Sequence, residues 1–392
     1  MRQFPASPIA VLIDGKPRYY LGESMARDLA VADLLGPGGL ASLAEVNLGY
    51  GTSAGDPALR ALLAARLGIP DDQVLITAGA AGALFLTGLL CGDGEIVVGR
   101  PCFPPAFDAL RSLGAPVVTV QSRFDDDYRI DLDAFAARLS PRTQLVMFAS
   151  PQNPAGVTMT EGEVEQMLAA MSRTCPDALL LIDETFREAT YGDTPPAASF
   201  AAASPRLLTC ASLSKAYGVP GLRVGWLTVP DPGLYEQLRL AKFNSSIACG
   251  TIDEFLATKV LSQADRMLAA RGAVLAESRG IVERWIKAHT GRLHWLRPQA
   301  GAFCCMQLDP GSFGPADIDR FHAHLAGQRT QIAAGPWFGD SAHIIRLGLG
   351  YEPADILELG LDVVSAALEA AEVTKPGAPS ARKGKELTAH DT

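Results

Sequence analysis

The chain holds few of the residues that would cross-link it, anchor it or fit it to a polyanion. Its 392 residues include seven cysteines, scattered except for the adjacent Cys304 and Cys305, so neither a disulfide framework nor a CxxC metal pattern is present. There are only six histidines. Of these, His322-Ala323-His324 on a predicted helix reads as a solvated face, and no metal site is expected. No apolar run reaches the length of a membrane span, and Met1 to Leu21 lacks the basic-then-apolar order of a signal peptide. Basic residues are outnumbered, 34 Lys and Arg against 43 Asp and Glu, and a net charge of −9 speaks against a general nucleic-acid or anionic-membrane surface. These absences point to a soluble protein of a reducing cytoplasm.

What is present is apolar and long enough for a large core. With 48% hydrophobic residues over this length, one large and one smaller domain are expected. Short β-type runs alternate with helical patterns, which gives an α/β fold with a mainly parallel sheet between helices. Seven runs fit one sheet: Val74-Leu75-Ile76, Glu95 to Val98, Val117 to Val120, Leu145 to Phe148, Leu179 to Ile182, Leu207 to Thr209 and Val224 to Trp226. A helix over Pro57 to Leu67 has Asp56 as N-cap and Pro57 at its first position. From Gly250 to Lys287 the apolar positions Leu256, Val260, Leu261, Met267 and Leu268 recur at helical spacing, as expected of a bridge between two domains. A second β/α segment runs from Leu293 to about Val373. The remainder, 374–392, has almost no large apolar residue and is expected to be disordered. No internal repeat is present.

The most constraining passage is Ser212-Leu213-Ser214-Lys215, followed by Gly218, Pro220, Gly221 and Arg223. It directly follows the apolar run Leu207 to Cys210. A lysine among hydroxyls and glycines can form a Schiff base with a carbonyl cofactor while Ser212 and Arg223 hold that cofactor's phosphate. After Val74-Leu75-Ile76 comes the small-residue turn Gly79-Ala80-Ala81 at a helix start, where backbone N–H groups can bind a phosphate. Asp183 ends the run Leu179 to Ile182, at the carboxyl end of a central parallel strand where such sheets place ligand-binding groups. Ile344-Ile345-Arg346-Leu347 puts a guanidinium inside an apolar strand, which is costly without an anionic partner and suits bidentate pairing with a carboxylate.

This set of motifs resembles the class I/II aminotransferases, the fold-type I enzymes that use pyridoxal 5′-phosphate (PLP), over nearly the whole chain up to about Val373. The resemblance implies a PLP-dependent transferase-like fold: a large cofactor domain at 41–275, and a small domain at 276–373 joined by the segment 1–40. It implies that Lys215 carries PLP and then acts as the base at the substrate Cα, and that Asp183 keeps the pyridine nitrogen protonated. Gly79, Ala80 and Ala81 would cradle the phosphate with Ser212, Ser214 and Arg223 nearby. Phe103, in Pro101-Cys102-Phe103-Pro104, would stack on the ring. Asn153, in Ser150-Pro151-Gln152-Asn153-Pro154-Ala155-Gly156, would donate to the 3′ oxygen and border the substrate. Arg346 would take the substrate α-carboxylate. Gly335-Pro336-Trp337-Phe338-Gly339 resembles a loop near the site entrance. Tyr50 would reach the phosphate in a neighbouring subunit, which implies a homodimer.

Two positions depart from the family pattern. Ala81 stands where a hydroxyl is common, leaving that contact to backbone. Phe186 stands where tyrosine usually binds the 3′ oxygen, so a hydrogen bond that helps set the Schiff-base pKa is lost. The expected reaction is transamination between an L-amino acid and a 2-oxo acid. An elimination, cyclisation or oxidation on the same site is the alternative. Substrate selectivity is unread: Asp253-Glu254 could meet a basic side chain, but a solvated helix face is the plainer reading. Gly51-Thr52-Ser53-Ala54-Gly55 also satisfies the G-x-S-x-G pattern of a hydrolase nucleophile, with Ser53 attacking and a histidine such as His343 as base. That reading lacks a good preceding strand and leaves Lys215, Asp183 and Arg223 unexplained. A DNA-binding regulator would need more than Met1 to Ala41 supplies.

Overall fold

A computed structural model describes residues 3–372 of the chain; the tail expected at 374–392 lies outside the described residues. All seven predicted strands form one sheet: β1 (Val74–Ala78), β2 (Glu95–Arg100), β3 (Val117–Gln121), β4 (Thr143–Ala149), β5 (Leu179–Asp183), β6 (Leu207–Ser212) and β7 (Val224–Thr228). Their order is β1-β7-β6-β5-β4-β2-β3. Pairing is parallel from β3 through β6, while β7 runs antiparallel to both its neighbours. The physical reason for the reversal lies in the connection. Leu213 to Arg223 contains no α-helix, and a parallel return needs a longer crossover, usually helical.

Strand alternation covers both faces of the sheet. Leu145, Met147, Leu181 and Leu208 pack with Leu84 and Leu86 of the helix Gly79–Leu90. Val146, Leu180, Ile182 and Leu207 face the other way, onto Met167 and Met171 of the helix Glu161–Thr174. Each fully buried aliphatic side chain of this kind contributes about 1.5–3 kcal/mol relative to exposure. The helix starts are capped by the residues the sequence supplies. Asp56 accepts from the Leu59 N–H at 2.9 Å with Pro57 at the first position, and Thr160 with Glu163 forms a reciprocal capping box.

The helical stretch after Gly250 divides into Thr251–Leu261 and Ala264–Ala288. Leu256, Val260, Leu261 and Met267 are buried in a core that also takes in β1, β7 and the second sheet, and Leu268 packs against its edge. That second sheet comprises β8 (Leu293–Leu296), β9 (Phe303–Leu308), β10 (Ala333–Ala334) and β11 (Ile344–Gly348), all antiparallel in the order β10-β11-β9-β8. The helices Pro315–Gly327 and Ala354–Glu372 pack against each other beside it. The N-terminal segment lies along this unit: Tyr19 bridges to Thr330, and the Gly348 N–H donates to the Leu21 carbonyl at 2.7 Å.

Candidate active site

Sheet topology brings the sequence motifs to one edge. Ala149 is the partner of Asp183 across β4 and β5, and Asp183 is the partner of Cys210 across β5 and β6. The Ser150-to-Gly156 turn, Asp183 and Ser212 therefore leave the sheet side by side at its carboxyl edge, where parallel sheets place ligands. Ser212 also pairs with Gly225, and the Leu213 N–H donates to the Val224 carbonyl at 3.1 Å. The segment between is thus a closed excursion whose first residues are Ser214 and Lys215 and whose last is Arg223.

Arg223 lies against the start of the helix Gly79–Leu90, because Ala78 at the end of β1 is the partner of Val224. Gly79 has φ of +67°, and a Cβ there would stand 2.7 Å from the Arg223 guanidinium nitrogen. A Cβ on Gly225 would meet the backbone of Gly79 and of Ala80 at 2.4–2.6 Å. Both glycines thus let backbone and guanidinium converge on the free N–H groups of Gly79, Ala80 and Ala81. Arg223 itself is held at φ of +50°, a left-handed conformation unusual for a residue other than glycine and found where the surroundings dictate it. Its Nη1 donates to the Pro220 carbonyl at 3.0 Å, and among the described residues no carboxylate pairs with it. Ser212 and Ser214 are buried beside it, with the Ser214 N–H directed at the Ser212 Oγ, 3.4 Å away. An open cationic cradle of this kind fits a phosphate.

Lys215 is half-buried, and its Nζ stands 6.0 Å from the centre of the Phe186 ring. Burial pushes its ammonium down to about 8; Glu23 opposes that shift, Arg346 and Arg223 reinforce it, and Asp183 opposes it more weakly. Asp183 accepts from the Thr185 N–H at 2.9 Å. Burial raises its carboxyl above the ordinary range, while hydrogen bonds from Thr185 and Cys210 and the charge of Lys215 pull it back. Phe103 stands at the N-cap of the helix Pro104–Leu113 and lines one cavity with Asp183, Leu84, Met147 and Ala149.

Arg346, in the middle of β11, is 1% exposed. One guanidinium nitrogen donates to Asn153 Oδ1 at 2.9 Å and the other to the Gly22 carbonyl at 2.7 Å, whereas Nε is buried with no partner. Phe303 and Phe338 flank it at 5.3 and 4.9 Å. Burial pulls its pKa down to about 10. Because arginine can only donate, the Asn153 oxygen is committed to it and the Asn153 amide NH2 remains for another acceptor. The unpartnered Nε and the dry aromatic walls fit a substrate carboxylate.

Several expectations are modified. Phe186 puts its ring edge on Phe303 at 4.7 Å, an apolar wall under Lys215. Phe338 is buried against Arg346, so the Gly335-to-Gly339 segment is packing beneath that residue as much as an entrance. Glu254 is 2% exposed and accepts from the Asp56 N–H at 3.1 Å, so the Asp253-Glu254 pair is no solvated face. The hydrolase reading is overturned. Among the described residues no strand precedes Ser53, its hydroxyl is bound by Arg239 at 2.5 Å, and His343 Nε2 is engaged with the Phe313 carbonyl at 2.9 Å. Tyr50 is not joined to the cluster: it projects 87% exposed and, among the described residues, makes no hydrogen bond to the groups around Lys215. Sequence reasoning missed Gly22 and Glu23. A lone acidic residue between Leu21 and Met25 carries no local pattern that could have flagged it.

Fold and site together define an enzyme of the PLP-dependent fold-type I class. Residues 26–331 match the model of the family "Aminotransferase class I and II", and the chain belongs to that family. It is 30% identical over 356 residues to capreomycidine synthase of Streptomyces vinaceus, covering 90% of this chain and 87% of the relative. It is also 30% identical over 330 residues to the arginine–pyruvate transaminase AruH of Pseudomonas aeruginosa, covering 80% and 81%. A PLP-dependent aminotransferase from Streptococcus suis superposes with a TM-score of 0.84 at 22% identity, covering 94% of this chain and 98% of the other, a likeness of fold. Pyridoxal 5′-phosphate is the cofactor of this family, and no helix among the described residues is long and apolar enough to cross a membrane.

Proposed function

We propose that the protein transfers the α-amino group of an L-amino acid to a 2-oxo acid, with Lys215 holding the cofactor. The single observation that carries the reading is the convergence, at the carboxyl edge of the large sheet, of a half-buried lysine of lowered pKa, a half-buried aspartate and an open cationic cradle, with a buried arginine of unpartnered Nε reaching in from β11. Bound PLP supplies a carbonyl for amines and an electron-withdrawing ring. The chain's residues do the rest. Gly79, Ala80, Ala81, Ser212, Ser214 and Arg223 would hold the phosphate, and Asp183 would keep a proton on the ring nitrogen. Phe103 would pack on the ring, the Asn153 amide NH2 would serve as donor to the cofactor, and Phe186 would exclude water beneath Lys215. Arg346 orients the substrate carboxylate, which leaves the Cα proton facing the Lys215 Nζ as base.

The proposed assembly is a homodimer acting in the cytoplasm, with Tyr50, exposed in the single chain, completing the partner's phosphate cradle. The proposed units are 41–275 for the cofactor and 276–373 with 1–40 for closure over the substrate. A second reading, elimination or cyclisation on the same site, is favoured by the similarity to capreomycidine synthase and by the missing tyrosine hydroxyl at Phe186. An amino-acid panel incubated with and without a 2-oxo acid separates the two. Amino transfer requires the acceptor for turnover, and acceptor-independent turnover would sink it.

A further inference from the structure

The residues from Leu21 to Ala26 form a strap between the two cationic groups of the site. Next to Glu23, the Gly22 carbonyl accepts from Arg346 at 2.7 Å. Three residues on, the Ala26 N–H donates to the Lys215 carbonyl at 2.9 Å. The Glu23 backbone lies on Gly348 at the end of β11, where a Cβ on that glycine would overlap the Glu23 carbonyl. Glu23 is therefore pinned between the residue suited to a substrate carboxylate and the residue suited to the reacting carbon. Its side chain is half-buried within electrostatic reach of both Lys215 and Arg346, yet among the described residues it forms no ion pair within 4 Å.

The neighbouring carboxylates are already used. Asp183 accepts from Thr185, Glu352 accepts from the Tyr20 N–H at 2.7 Å, and Asp28 accepts from the Tyr351 hydroxyl at 3.2 Å. A substrate carboxylate on Arg346 takes up one of the two charges that act on Glu23, and among the described residues no other cation stands within ion-pair distance of its half-buried carboxylate. Such a group is costly unless a counter-charge arrives with the ligand. Beside the strap the rings of Tyr20 and Tyr351 stand 5.2 Å apart, a surface that also suits a cation.

We propose that Glu23 is a specificity-determining residue and that the amino donor carries a cationic side chain, a guanidinium or an ammonium, which ion-pairs with the Glu23 carboxylate. The inference rests on the proposed function in using the same site, and it adds the substrate class. Burial raises the Glu23 carboxyl above its ordinary range, and a cationic ligand reverses that shift.

The test is calorimetric binding of arginine, lysine and norleucine to the PLP-loaded protein and to Glu23→Gln, with norleucine as the uncharged analogue of lysine. The wild-type protein should bind both cationic amino acids at least about 30-fold more tightly than norleucine, and Glu23→Gln should bring all three within about twofold while norleucine is unchanged. Equal wild-type affinities would overturn the proposal whatever the variant does, and so would a preference that survives Glu23→Gln. Because binding is read directly, a protein that prefers lysine but transfers no amino group contradicts the reaction reading alone.

Discussion

Arg346 and Asn153, 193 positions apart, share a 2.9 Å hydrogen bond that ties β11 of the small sheet to the turn after β4 of the large one. That bond fixes the guanidinium plane and turns the Asn153 amide so that its NH2 side faces away. Replacing Arg346 by lysine keeps the charge but removes the planar fork. A single ammonium cannot serve Asn153, the Gly22 carbonyl and a substrate carboxylate in one geometry. Arg346→Lys should therefore weaken amino-acid binding by about 100-fold, roughly 2–3 kcal/mol, while PLP is retained. Titration of the loaded protein with amino acids measures both.

Gly79 and Gly225 should respond differently to the same change. A Cβ at Gly79 meets the far end of the Arg223 side chain, which can swing away, and the left-handed φ adds about 1–2 kcal/mol of strain. Gly79→Ala should fold but hold PLP about tenfold more weakly. A Cβ at Gly225 meets only backbone, so Gly225→Ala should cost about 1–3 kcal/mol of stability by overpacking. Thermal melts of the cofactor-free proteins, with PLP titrations of each, distinguish the two.

The pH dependence of cofactor loading follows from Lys215. Only the neutral amine attacks a carbonyl, and burial lowers the pKa of its ammonium to about 8. The loading rate should rise with pH, reach half its limit near 8 and level off, where an ordinary lysine would still be gaining reactivity above pH 10. Stopped-flow mixing with PLP across pH 6 to 10 gives the midpoint. Glu23→Gln removes a neighbour that favours the ammonium and should move that midpoint lower.

Phe186→Tyr restores the hydroxyl that the sequence lacks. The ring already packs on Phe303 and stands under Lys215, so the added oxygen extends an existing geometry. A donor to the cofactor's 3′ oxygen stabilises its anionic form, and the pH at which the bound chromophore titrates should fall by about one unit. A spectrophotometric pH titration of both proteins reads the difference.

Much of the site was legible because its parts are local. Lys215 and Arg223 lie within one short excursion, and Asp183 and Asn153 each end an apolar run at the same edge of a parallel sheet, so strand order alone brings them together. The same logic identified Arg346, because a guanidinium inside an aliphatic strand demands an anion. What stayed hidden depends on contacts between distant segments. Glu23 sits in a stretch with no periodicity, and the hydrogen bonds of Gly348 to Leu21 and of Ala26 to Lys215 carry it between β11 and Lys215. Glu254 looked solvated because two adjacent charges on a helix ordinarily face water, yet it is buried to hold the turn before Pro57. The antiparallel sense of β7 was equally invisible, since a strand's own residues do not state its direction.

The central claim is that Lys215 carries the cofactor. The protein loaded with PLP should show a visible band that borohydride removes, and peptide mapping should then find the reduced cofactor on the peptide containing Lys215. Lys215→Ala should fold and bind PLP without covalent attachment. A borohydride-stable adduct on any other lysine, or attachment that survives Lys215→Ala, would contradict the account.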